Sequence, residues 1–159
     1  MRKYEHSGPE IEANAFASEL LMPKSMVNAS ILKAEPNLEM IRRLSHDFDV
    51  TLTAAAVRYV CLSRQPVMVV LSNGERVRWW RKNEDRMANL WLESEQRLST
   101  CSVAADLRKN PSSTGTLQPV AWSAWFPHIE DRGEEVFECS VRLFPYETIL
   151  SLLWVPSRY

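Results

Sequence analysis

The chain has 159 residues, 45% of them hydrophobic and 25% charged, with a formal net charge of −1. That length and apolar content suit one soluble globular domain, or two small packed subdomains, with a real core. The near-neutral balance excludes a strong overall pull toward nucleic acid or acidic lipid, and no apolar run is long enough to span a bilayer.

The opening MRKYEHSGPE has no apolar core of the signal-peptide kind. Cys61, Cys101 and Cys139 are an odd number without CxxC spacing, and read as reduced, mostly buried thiols of a cytoplasmic protein. Residues 8–64 read as helical. A first helix starts near Pro9, with Ser7 or Gly8 as cap, and stops before Pro23. A second piece runs from Lys24 to Ala34. A third starts at Asn37, a good N-cap, and reaches Phe48, with Leu38, Ile41, Leu44 and Phe48 on one face. A fourth follows Thr51, where Leu52, Ala55, Ala56, Tyr59 and Val60 form a helical stripe.

After residue 65 the pattern becomes β-rich. PVMVVLSNGERVRWW (66–80) predicts a hairpin turning at Asn73-Gly74, with Trp79 and Trp80 facing opposite ways. The stretch Asn83 to Arg97 is read as a short helix, and 108–119 as the least ordered loop. Further strands are expected over 119–126, over 135–144 and over 148–156, the last a buried one. The fold class is therefore α+β: a helical part over 1–64 followed by a β-rich part over 65–159.

One stretch carries chemistry. On a helical wheel of EIEANAFASELLMP (10–23), Ala13, Phe16, Ala17, Leu20 and Leu21 share an arc, and Glu10 lies inside it with Asn14 one turn on. Glu12 and Glu19 fall on the opposite side. A carboxylate on an apolar arc needs a partner. Either Glu10 sits in a solvated first turn, favoured by the helix dipole, or it is a metal ligand with Asn14 supporting it from outside the coordination sphere.

The same residues, Glu10, Ala13, Asn14, Phe16, Ala17, Leu20, Leu21, Met22 and Pro23, resemble a signature of the ImmA/IrrE family of metallo-endopeptidases. The resemblance implies a zincin-like peptidase. An HExxH helix supplies two histidine zinc ligands and a general-base glutamate, and a later helix supplies a third, glutamate ligand. On that pattern the ligand is Glu10, with Glu12 the runner-up. LSHDFDVTLTAAAVRYVCL (44–62) and the β-rich part resemble later segments of the family more loosely. The implied substrate is a protein, such as a transcriptional repressor.

The sequence departs from the family at its centre. It holds no HExxH, and His6, His46 and His128 each lack a second histidine four residues away. A catalytic zinc needs three protein ligands and an open position. No catalytic residue is therefore assigned, no zinc is expected to be held stably by this chain alone, and the chain reads as the later portion of such an enzyme, inactive by itself. The apolar arc of the first helix is then expected to be uncovered and prone to self-association.

Two other classes of function remain in view. Residues 40–60 resemble a helix-turn-helix with Asp49-Val50-Thr51 at the turn, and its outward positions would be Thr53, Ala54, Val57 and Arg58. That surface offers little to base edges, so a supporting helical hairpin is preferred to direct DNA binding. The third class is a non-catalytic ligand- or protein-binding module, for which six tryptophans and the RVRWWRK cluster (76–82) supply the features.

Overall fold

A computed structural model describes residues 8–110, 116–131 and 133–156, with the side chains of 8–11 outside the description. Ser7 as a cap, and His6, thus lie outside the described residues.

The helical part forms as its caps dictate. Helix α1 spans Gly8–Leu21 and ends before Pro23. The expected second helix is divided. A single 3-10 turn covers Lys24–Met26, and α2 spans Ala29–Lys33. Asn28 divides them, because its side chain accepts the Ser30 N–H and opens a new helix. Helix α3, Leu38–Asp47, starts where Asn37 accepts the Met40 N–H, and α4, Leu52–Leu62, starts where Thr51 accepts the Ala54 N–H. Between them Asp49 takes φ 50°, the left-handed conformation that closes a helix, and Val50 N–H bonds back to the Ser45 carbonyl.

The β-rich part is one antiparallel sheet. Its strands are β1 Val67–Asn73, β2 Arg76–Lys82, β3 Gln118–Val120, β4 Val136–Leu143 and β5 Thr148–Trp154, in the order β2-β1-β5-β4-β3. The β1–β2 hairpin turns at Asn73-Gly74 as expected, with Gly74 at φ 57°. Strand β5 is central and buried along nearly its whole length, which explains its apolar run. Helices come first and strands later, so the α+β fold class holds.

Alternate residues of the sheet face two separate cores. Val67, Val69, Cys139, Leu150 and Leu152 pack with Ile41, Leu44, Ala55, Tyr59 and Val60 of α3 and α4. Met68, Val70, Val136, Ile149 and Leu153 pack on the other side with Met87, Leu92 and two short helices, α5 (Val103–Lys109) and α6 (Trp122–Trp125). Trp79 joins the first core and Trp80 the second, as the strand alternation requires.

Three expectations are corrected. Asn83 to Arg97 is not a helix. Its carbonyls turn to β2 instead of along an axis: Lys82 Nζ donates to those of Ala88 and Leu90, and the Trp80 indole to that of Leu92. The segment runs beside the edge strand, where Val77 N–H bonds the Gln96 carbonyl and Leu98 N–H that of Glu75. The predicted strand 119–126 stops at Val120. Trp122, Trp125 and Phe126, spaced i, i+3, i+4, enter one core and require a helical turn. Lastly, of the three thiols only Cys139 is buried, while Cys61 and Cys101 are exposed.

Candidate functional site

Helix α1 carries the signature. Glu10 lies on it, and its side chain is outside the described residues. Asn14 is exposed, and its backbone carbonyl accepts the Ser18 hydroxyl at 2.7 Å. Glu12 is exposed as well. The apolar arc is bare: Phe16 is 71% exposed, Leu20 68% and Leu21 59%. The arc therefore does not face the core formed by the rest of the described chain.

What holds α1 is its C-terminal end. Met22 is buried in the core beneath α3 and α4. The Arg58 Nε of α4 donates to the Met22 carbonyl at 2.9 Å, and the same guanidinium pairs with the Glu19 carboxylate. Glu19 also accepts the Lys24 N–H at 2.9 Å. That backbone bond first, and Arg58 second, hold the Glu19 carboxyl below its ordinary range. The last part of the signature, E-L-L-M-P, thus reads physically. Glu19 caps the turn that follows, Met22 plugs the core, and Pro23 stops the helix.

Arg58 was one of the four outward positions of the helix-turn-helix reading. Its side chain is only 12% exposed and fully engaged with α1. Thr53 and Val57 are half-buried, and Ala54 is exposed. The helix that would read bases is instead turned toward α1.

The two described histidines do not converge on α1. His46 is exposed beside Asp47, and His128 stacks at 5.3 Å on Trp91, with its Nε2 3.1 Å from the Trp91 carbonyl. Among the described residues, no group of three His, Cys, Asp or Glu side chains is placed to hold a metal. The residues described do not fit zinc as a complete site.

A buried carboxylate escaped the sequence reading. Glu138 is fully buried on β4. One of its oxygens accepts the Val103 N–H and the Trp125 indole N–H; the other accepts the Ala104 N–H and the Ser140 hydroxyl, all at 2.8–2.9 Å. Burial pushes its pKa up, and the four donors oppose that shift. The alternation Val136, Glu138, Ser140, Arg142 looks like a solvent-facing set. The available clue was Ser102, a good N-cap, standing before the apolar VAADL.

The family model for the IrrE N-terminal-like domain matches residues 2–59, from the first residues through most of α4. That match supports membership of the ImmA/IrrE family. No curated protein matches it. Within ImmA/IrrE, a family of zinc metallopeptidases, the matched segment contains the signature helix, its Arg58 anchor and the α3–α4 hairpin. Among the described residues, no helix is long and apolar enough to cross a membrane.

Proposed function

We propose that this chain is the part of an ImmA/IrrE-like zinc metallo-endopeptidase that presents the glutamate ligand. Glu10 is the ligand and Asn14 its supporting neighbour. Helices α3 and α4 form the buttress, and the β-rich part regulates the site or presents substrate. The substrate is a protein, a transcriptional repressor being the class the family resemblance implies, and the compartment is the cytoplasm. By itself the chain does not hydrolyse peptides. The ligand pair and general base of HExxH are absent from its sequence, and no reaction step can be assigned to the residues it has.

The observation that carries this reading is the posture of α1. One end is clamped by Arg58 to Glu19 and Met22, while the face bearing Phe16 and Leu20 is left uncovered beside the Glu10 position. A helix so held, with that face open, is built to receive another element of polypeptide. A DNA-binding reading is disfavoured because Arg58 is spent on this clamp.

The test joins an HExxH helix from a family member to the N-terminus and compares it with the chain as it stands. The joined protein should bind zinc and cleave a repressor substrate, and both chelator and Glu10→Ala should abolish cleavage. Robust chelator-sensitive proteolysis by the 159-residue chain alone would overturn the proposal. So would a joined protein that cleaves equally well with Glu10→Ala.

A further inference from the structure

The β-rich part has a cleft of ≈ 300 Å³. It lies between the β1–β2 turn, the segment after Arg97 and helix α5. Its lining is unbalanced in charge: Arg97, Arg108 and Lys109 face a single carboxylate, Glu75, with Thr100 adding a hydroxyl. Three cations against one anion leave two positive charges in excess. Leu98 and Ala105 supply an apolar wall.

Glu75 organises the cationic side. One of its oxygens takes the Arg108 guanidinium at 2.8 Å, and the other takes Arg97. Those two arginines hold its pKa below the ordinary range. Each guanidinium has five N–H donors in a fixed fork. Among the described residues, the hydrogen bonds of Arg97 and Arg108 go only to Glu75, through one terminal nitrogen of each. The Arg97 side chain is 70% exposed and that of Arg108 36%, so among the described residues their remaining donors face solvent. The C-terminal end of α5 supplies a negative partial charge of about half a unit near Arg108 and Lys109, less than the excess of two.

We propose that this cleft binds a phosphomonoester dianion. Two arginine forks drawn together by Glu75, and one ammonium, match three terminal phosphate oxygens better than a single carboxylate. The excess of two positive charges matches a dianion. The volume lies at the small end of ligand clefts and admits a phosphate with a compact organic group. The site is remote in sequence from α1 and does not rest on the peptidase reading.

Calorimetric titration of the full chain with inorganic phosphate and with adenosine 5′-monophosphate, at fixed ionic strength set by chloride, tests this. Saturable binding of at least one of them is expected, and it should weaken about tenfold with Arg97→Gln and again with Arg108→Gln. Tighter binding of the nucleotide identifies an organic phosphomonoester, and equal binding identifies phosphate alone; both support the site. Heat no different from a chloride control overturns it, as does binding unchanged in the double variant. Should the double variant unfold, Lys109→Gln, at an exposed helix end, serves instead, and unchanged affinity there has the same meaning.

Discussion

The indole N–H of Trp125 donates to the Glu138 carboxylate at 2.8 Å, and neither side chain is exposed to solvent at all. The same carboxylate receives the first two N–H groups of α5. One strand residue therefore ties both short helices to the sheet. Glu138→Ala leaves three buried N–H donors without their acceptor, while the Ser140 hydroxyl keeps Ser151 Oγ, at a cost of about 1–3 kcal/mol for each one left unpaired and less than additively. A loss on the order of 3 kcal/mol, or roughly 6–12 °C in Tm for a chain of this size, is expected by thermal melting. Glu138→Gln keeps the shape and turns one oxygen into a donor, so it should cost about 1–2 kcal/mol. A melt unchanged in both variants would show that the carboxylate does not tie these elements together.

The same group gives a pH signature. Burial raises the Glu138 pKa above the ordinary value of 4.5, so the folded state holds this proton more tightly than the unfolded chain does. Its contribution to stability is then largest below the ordinary carboxylate range and is lost as pH rises through the folded value. Denaturant midpoints of the wild type minus those of Glu138→Gln should fall across that window. A difference that is flat with pH, or that rises, would contradict the shift.

The sequence made the helical part readable because its signals are local. Asn37 and Thr51 cap α3 and α4 where expected, and Pro23 ends α1. The Asn73-Gly74 hairpin is local too. The failures are non-local. Trp122 and Trp125 sit in a β-like run, yet one core has to take both from the same side. Asn83 to Arg97 has helix-forming residues, but the edge of β2 claims its carbonyls. Glu138 sits in a pattern that reads as solvated, and only a helix arriving from 34 residues away buries it. At the candidate site, the signature named Glu10 and Asn14. The partnership of Glu19 with Arg58, 39 residues apart, needed the structure.

Thiol chemistry should divide the cysteines. Burial, above all, pushes the Cys139 pKa up to about 12, so almost none of it is thiolate at neutral pH. Cys61 and Cys101 are exposed. Native protein is expected to react readily at Cys101, more slowly at Cys61, whose pKa burial also raises, and to reveal Cys139 only when unfolded. Rapid native labelling of Cys139, located by mass spectrometry, would mean that the core between the sheet and α4 opens freely.

Arg58 is the tie between α4 and the signature helix, and its loss should be felt in α1 before the body. Arg58→Ala removes the bonds to Glu19 and to the Met22 carbonyl. Amide exchange over residues 12–22 should accelerate severalfold while the strands β1, β4 and β5 keep their protection. Glu19→Gln should produce a weaker version, since the Met22 bond survives. Equal acceleration throughout the protein would show that Arg58 supports the whole fold, not α1 in particular.

The bare face of α1 makes a final prediction about association. Phe16 and Leu20 stand one turn apart, 71% and 68% exposed, with Ala13 and Ala17 beside them. Burying each large side chain is worth about 1.5–3 kcal/mol, so two copies gain by pairing these faces. Weak, concentration-dependent association is therefore expected in sedimentation velocity. The double variant Phe16→Gln with Leu20→Gln should remain monomeric across the same range. Wild type that stays monomeric at every concentration would mean that the face is covered by something other than a second copy, or is too small to drive pairing.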